Sequence, residues 1–414
     1  MSSKKAKLGP IYLVAFLDLL GFGTIIPVIR DLTESMVNLS GFETTAYATY
    51  AGILMASYSL FQFIFAPWLG SLSDKYGRKK LLMVSVLGNV FSYFLWAVSQ
   101  SFEVFLISRI ISGATGGNIS IAQSYVVDVT EKKERAKALG MMGALFGLGF
   151  ILGPYIGGEL STINLRGFKF WIFEMNTFAM IGLFTMGLSL VNLLWIGLAI
   201  HEPEKKSSAE KLARKIANPT KLFKQFVRPD MGILFIIYFL ISLGFVHLEA
   251  TLAWELKYEF SLDARETGYF FAYLGVLLFL VQGGLYRGIY KRTGERALAR
   301  YSLLITAVGL AALPFASSIT VMAVITAILA IGMGIGNPSM TTLASFYSKE
   351  DEQGFNMGIL QSFSSLARVI APIVATLMYD QVSRNSALFS AASFALAAFF
   401  ISHKLPKKDS LSAD

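Results

Sequence analysis

"GSLSDKYGRKK" (70–80) sets four basic residues and one acid into a short polar stretch. An apolar run, "AGILMASYSLFQFIFAPWL" (51–69), leads into it, and another, "LLMVSVLGNVFSYFLWAV" (81–98), follows at once. Each run is close to the ~20 residues an α-helix needs to cross a ~30 Å hydrocarbon layer. A dense basic turn between two such runs reads as a connection held at one face of a membrane, where Lys and Arg are favoured.

The same alternation fills the chain. Its 414 residues are 54% hydrophobic and 15% charged, with a mean hydropathy of +0.58; soluble proteins carry about 25% charged residues. The fold class expected is therefore an all-α polytopic membrane protein. Continuous apolar runs exclude a β-barrel, whose strands alternate over about ten residues. Cysteine is absent, which excludes disulfides and thiolate metal sites, and the three His show no ligand spacing. No metal and no cofactor are expected. The net charge of +9 does not point to nucleic acid, because the basic residues sit in short turns between apolar runs. The start, "MSSKKAKLGPIYLVAFLDLLGF", has no small-x-small cleavage site and carries Asp18 inside its apolar region, so it reads as a retained first span.

Twelve spans are expected, near 8–30, 46–72, 80–99, 101–127, 137–159, 176–200, 231–256, 266–288, 297–316, 319–345, 354–378 and 384–403. A polar, basic stretch, "HEPEKKSSAEKLARKIANPTKLFKQFVRPD", separates the sixth from the seventh, and part of it could lie on the surface as an amphipathic helix. The domains expected are 1–201, a linker at 202–230, and 231–414. With both termini inside, 28 of the 36 Lys and Arg fall in inner segments and six in outer ones, an imbalance that one miscounted span would scramble. The halves also repeat. "ERAKALG" (134–140) and "EQGFNMG" (352–358) lie 218 residues apart, as do "GPYIGG" (153–158) and "APIVAT" (371–376). Duplicated halves are a common plan among transporters.

The turn now resembles a known motif. Gly70, Asp74, Gly77 and Arg78 match the loop between spans 2 and 3 of the major facilitator superfamily, and a degraded copy, "GLYRGIYKRTGER" (284–296), follows span 8, where that family repeats it. The resemblance implies two pseudo-symmetric six-helix bundles around a central cavity, working by alternating access. It also implies a charge network of Asp74, Arg78 and Asp128 that latches the cytoplasmic side, with Asp74 near the start of span 11. "LISRIISGATGGN" (106–118) resembles the family's span 4 motif, and Arg109 in it needs a partner or a role at mid-membrane. The face of Arg109, Gly113 and Gly117 is small enough for the Arg to reach across. "GALFGLGFILGPYIGG" (143–158) offers GxxxG pairs for close helix packing. Its Gly153, Pro154, Gly157 and Gly158 resemble the antiporter signature of twelve-span drug–proton exporters.

"FLDLLGFGTIIPVIRDL" (16–32) resembles the first span of tetracycline and multidrug proton antiporters. By helical rise Asp18 lies ~15 Å into its span and Arg109 ~12 Å into its own from the other face, near one level of a ~30 Å core. An interaction of the two, altered by protonation of Asp18, is expected; a static ion pair is the alternative. His247 and Glu249 in span 7 are candidates for a second proton site, while Glu255 and Glu259 read as ordinary headgroup-level acids. Arg368 and Gln361 share a face of span 11, where Arg368 could meet an anionic substrate group or Glu249. Gln62, Asn118, Gln123, Gln282 and Asn337 are polar residues inside spans, and Tyr58, Trp254 and Tyr269 could supply aromatic walls. "LRGFKFWIFEMN" (165–176) suggests an interfacial segment.

The function expected from the resemblance is proton-driven export of small amphipathic compounds, of multidrug or tetracycline type, by a monomer in a bacterial inner membrane. Its partners are the substrate, protons and lipid. The rivals are a dedicated exporter of a metabolite, siderophore or lysolipid, an uncoupled uniporter, and a membrane enzyme or sensor. Against the last, no nucleophile–base pair, metal cluster or phosphate loop stands in the sequence.

Overall fold

The computed structural model describes residues 8–42, 46–202, 225–348 and 352–406. Among them are twelve helices long and apolar enough to cross a membrane: Gly9–Ser40, Tyr47–Tyr76, Arg78–Val98, Phe102–Val129, Lys137–Ser161, Ala179–Ala199, Pro229–Phe260, Ala264–Leu285, Glu295–Phe315, Ile319–Tyr347, Phe355–Gln381 and Arg384–Ser402. They are called spans 1 to 12. The fold is all-helical, as expected. Most of the proposed interior linker falls outside the described residues.

Span 1 runs about ten residues past its expected end. A single 3-10 turn, Ile26–Val28, absorbs Pro27, and the helix resumes as Ile29–Ser40. Arg30, Asp31 and Glu34 lower the hydropathy of this extension, yet Ile29, Leu32, Met36 and Val37 are buried along one face. The extension is held by amphipathic packing rather than by apolar content. Span 4 is interrupted at Gly116–Gly117, between the helices Phe102–Thr115 and Asn118–Val129. Span 8 contains a π-helical turn, Val281–Leu285. The Ser101 and Ser318 hydroxyls cap spans 4 and 10 alike, accepting from the N–H groups of Val104 and Val321.

The chain divides into two compact units, Met1–Ala213 with Leu262–Ala272, and Arg214–Ser261 with Tyr273–Asp414. In the first unit span 1 packs along span 5, span 3 along span 6 and span 2 along span 4; in the second, span 7 packs along span 11 and span 9 along span 12. The core of the first unit joins Ile11 and Val14 to Val86, Ile121, Tyr125, Met142 and Ile196. That of the second joins Leu234 and Phe235 to Leu303, Met340, Leu343 and Leu360. Outer faces are apolar too: Val191, Leu194 and Leu198 form an exposed stripe along span 6. In water such stripes would be liabilities, but lipid is their natural solvent. The segment after span 5 forms an antiparallel ribbon, β1 Lys169–Phe170 with β2 Phe173–Glu174, whose tip exposes Trp171 and Ile172.

The small-residue reading of span 5 holds for part of its glycines. A Cβ at Gly149, Gly153 or Gly157 would lie 2.2–2.9 Å from backbone atoms of span 1, so the two helices touch main chain to main chain. A Cβ at Gly158 would lie 3.1 Å from the carbonyls of Ala264 and Arg265, at the start of span 8. Gly143 and Gly147 meet nothing within 4 Å and are not packing positions.

Gly77 ends span 2 with φ 104°, a conformation open to glycine, and its missing Cβ leaves room for the Glu202 carboxylate. That carboxylate accepts from the backbone N–H groups of Arg78 and Lys79 and so caps span 3. The Lys79 ammonium in turn donates to the carbonyl of Gly197, 2.7 Å away. The end of span 6 is thereby tied to the basic turn. Glu202→Ala should lower unfolding stability by about 0.5–2 kcal/mol, the usual cost of a lost cap, read as a lower melting temperature in detergent.

Candidate functional site

The basic turn is built around one arginine. Arg78 is 6% exposed. Its guanidinium pairs with Asp74 one turn back and with Asp128 at 3.0 Å, and also donates to the hydroxyl of Ser73 and the carbonyl of Gly70. Gly70 lies beside Ser120 of span 4, with no more than ordinary contact distance to spare. The structure thus brings Gly70, Asp74, Gly77, Arg78 and Asp128 together at the end of the first unit that carries the basic turns. Arg78→Met leaves two partly exposed carboxylates without their cation. A loss of about 1–3 kcal/mol is expected, checked by thermal denaturation, and Arg78→Lys should recover only part of it.

Deeper in the same unit Asp18 is buried at 8% exposure and borders a small polar cavity. Asn89 and Tyr93 of span 3, Asn118 of span 4, and Ser189 and Asn192 of span 6 complete its polar lining. The Tyr58 hydroxyl lies 3.5 Å from Asp18 Oδ2, and Gln62 Nε2 donates to Tyr58 at 3.3 Å and to the carbonyl of Gly116 at 3.1 Å. Arg109, 4% exposed, is held by rings: its guanidinium lies 4.8 Å from the Trp96 ring centre and 5.2 Å from that of Phe105. Its Nη2 meets no hydrogen-bond acceptor among the described residues, nor do the side-chain oxygens of Asn118 and Asn192 meet a donor.

Two tyrosines interact with these charges: Tyr93 lies in the field of both Asp18 and Arg109, and Tyr58, beside Asp18, also interacts with Arg109. Tyr93 reaches its place because Gly21 has no side chain; a Cβ there would lie 2.0 Å from the Tyr93 hydroxyl. The glycines near Arg109 serve a different purpose from the one expected. Gly113 and Gly117 lie against the main chain of span 2 at Tyr58 and Ala66, which sets the approach of two helices rather than a path for the Arg.

In the second unit Glu249 is 5% exposed, with Oε1 lacking a donor among the described residues, and Arg368 of span 11 is the cation whose field reaches it. His247 makes its contacts elsewhere. Its Nδ1 donates to the Leu243 carbonyl at 2.9 Å and its ring meets Phe394 edge-on, while its buried Nε2 meets no hydrogen-bond partner among the described residues. Trp254 is buried between Tyr258 and Tyr379. Asn337 is half-buried beside Pro338, whereas Gln123, Gln361 and Gln282 are exposed, Gln282 on the π-helical turn. Tyr269 bonds to Glu159 and Arg265 rather than lining a cavity with the other aromatics.

Asn89, Tyr93, Ser189 and Asn192 were not among the residues singled out from sequence. Their signal was present: each pair stands three or four apart, on one helix face, inside an otherwise apolar run.

Comparison with known proteins fixes the class. The sequence profile of the Major Facilitator Superfamily matches residues 11–290 and 234–413. The chain belongs to the major facilitator superfamily. As a member it is a secondary transporter and not an enzyme. It is 30% identical over 371 residues to the class B tetracycline resistance protein of Escherichia coli, covering 89% of this chain and 87% of that protein. It is 26% identical over 393 residues to multidrug resistance protein 1 of Bacillus subtilis, covering 94% of each. Among solved structures, the human organic anion transporter MFSD10 superposes with a TM-score of 0.68 at 24% identity, over 95% of this chain and 98% of that one. The superfamily fold therefore stands on sequence and structure together, and the likeness to drug-resistance transporters on sequence.

Proposed function

We propose that this transporter exports small amphipathic compounds in exchange for protons, by alternating access, from the cytoplasm of a bacterial cell with both termini inside. The observation that carries the reading is Asp18, a carboxylate buried in a span beside a polar cavity that Tyr93, Asn89 and Asn192 help to line. A membrane-buried acid is costly and is retained where it has work to do. Asp18 takes up and releases the proton. Arg109 senses the change through Tyr93, which stands in the field of both charges. Glu249 with Arg368 forms a second ionisable pair in the other unit. The Arg78 network acts as a latch at the cytoplasmic end, and the contact of Gly149, Gly153 and Gly157 with span 1 is the surface on which span 5 moves. Each charge moved across 100 mV supplies ~2.3 kcal/mol for the cycle. The relatives' names support a drug-like cargo.

A second reading, an organic anion or zwitterion as cargo, is favoured by the unpartnered Nη2 of Arg109 and by Arg368. The name of the human organic anion transporter points the same way. One experiment addresses both. Proteoliposomes holding the wild type, Asp18→Asn, Arg109→Ala or Glu249→Gln are given a pH gradient, and flux of a cationic and an anionic amphiphile is followed. Drug–proton antiport requires gradient-driven cation flux that Asp18→Asn loses. Anion flux lost in Arg109→Ala would favour the second reading. Equal flux with and without a gradient would leave a uniporter.

A further inference from the structure

The end of the second unit opposite its basic turns holds an acid that the transport reading does not use. Glu255 lies five residues, ~7.5 Å of helical rise, from the end of span 7. By position it should be an ordinary headgroup-level acid, solvated by water. It is instead 3% exposed, and its Oε1 meets no donor among the described residues. Two neighbours share the condition: the Trp254 indole N–H and the Tyr379 hydroxyl are also buried without a hydrogen-bond partner there. Trp254 and Tyr379 are in ring contact at 6.1 Å, and Glu255 and Tyr379 act on one another electrostatically. Three unpartnered polar groups thus gather where span 7 meets span 11.

The charges around Glu255 do not supply what it lacks. On its own span stand Lys257 and Tyr258, both exposed, and Glu259, a like charge that acts on it. Span 11 contributes Tyr379 and Asp380. Span 12 contributes Arg384, whose guanidinium is engaged with Glu259 at 3.8 Å and with the Tyr258 ring at 4.4 Å. Span 10 brings no titratable side chain to this end, "ITVMAVITAILAIGMGIGN" (319–337) being free of them. Arg384, the cation that acts on Glu255, is therefore shared with Glu259 and lies against an aromatic face. A buried carboxyl oxygen without a donor is tolerated in its neutral form and penalised in its charged one.

We infer that Glu255 is a further proton-binding site, carrying its proton between spans 7 and 11 and exchanging it with the aqueous phase on the side away from the basic turns. The inference rests on the proton-driven reading for its use in a cycle, where Glu255 is the station nearest the outer phase. The binding of the proton itself does not depend on transport.

The test reads protonation directly. Full-length protein in liposomes is titrated by infrared spectroscopy, following the carbonyl stretch of protonated carboxyl groups. One such band should vanish in Glu255→Gln while persisting in Asp18→Asn and Glu249→Gln, and Tyr379→Phe should shift it. A Glu255→Gln spectrum identical to wild type at every pH overturns the proposal. Should Glu255→Gln fail to fold, the wild type is treated with dicyclohexylcarbodiimide, which reacts preferentially with protonated carboxyls in apolar surroundings, and the adduct is mapped by mass spectrometry. An adduct on Glu255 supports the site; none there, with other buried acids modified, refutes it. Loss of the band together with pH-independent substrate flux would overturn the antiport reading and leave the proton site standing.

Discussion

Asp18→Asn should abolish accumulation of substrate against its gradient while leaving downhill exchange intact. The expectation follows from what the side chain can and cannot do. Asn fills nearly the same space beside Tyr58 and the polar cavity, so packing of span 1 changes little. It cannot take up a proton, so the step that couples proton movement to substrate movement is removed. One pH unit is worth ~1.4 kcal/mol per proton, or about a tenfold concentration ratio. With one proton per substrate, wild-type vesicles under a gradient of one unit should accumulate substrate about tenfold, and the variant vesicles should stop near equality. The measurement is steady-state distribution of labelled substrate, alongside counterflow without a gradient. Wild-type accumulation in Asp18→Asn would remove Asp18 as proton carrier and pass the role to the carboxylates of the second unit.

The largest structural effect is expected at Gly157. A Cβ there would stand 2.2 Å from the Thr24 carbonyl oxygen and 2.8 Å from the Thr24 Cα and carbonyl carbon. These are backbone atoms of span 1, so no rotamer change relieves the clash, and the two spans must part. Association of helices in lipid depends on such close packing because lipid supplies no hydrophobic drive between them. Gly157→Leu should therefore cost about 1–3 kcal/mol or more, the range of overpacked cores, and should stop transport. Gly143→Ala and Gly147→Ala, on the same helix, should be neutral because nothing lies within 4 Å of either new Cβ. Melting temperature in detergent and substrate flux, measured on all three, separate a packing requirement at one site from a general intolerance of span 5. A Gly157→Leu protein as stable and active as wild type would show that spans 1 and 5 are not in this contact when the protein works.

The spans themselves were readable because each is long, apolar and punctuated by charge, and the twelve helices match the runs to within a few residues at most ends. The one large miss, Ile29–Ser40, is a helix that hydropathy alone cannot flag, since its stability comes from one buried face and its other face is polar. The basic turn was equally legible: Gly77, Arg78 and Asp74 are close in sequence, and Asp128 follows from the family resemblance. The interior was less so. Asp18, Arg109 and Glu249 stood out because charge is conspicuous in an apolar run. Tyr93, Asn89 and Asn192 did not, because an uncharged polar pair on one helix face is a weaker signal and does not say what that face will meet. Glu255 was misjudged for a related reason. Its depth could be counted along the helix, but its burial depends on how span 7 packs against spans 11 and 12.

Crossing a bilayer is a local requirement. Every backbone group must be bonded within its own helix and every run must be apolar over one membrane thickness, so composition along the chain suffices to place the spans and their basic turns. Which side chains meet is a question of helix rotation and approach. Those are set by contacts between residues far apart in the chain, such as Gly157 with Thr24 and Gly21 with Tyr93. A rotation of one span by a single residue, about 100°, would turn Asp18 from the polar cavity without altering any property that can be read along the sequence.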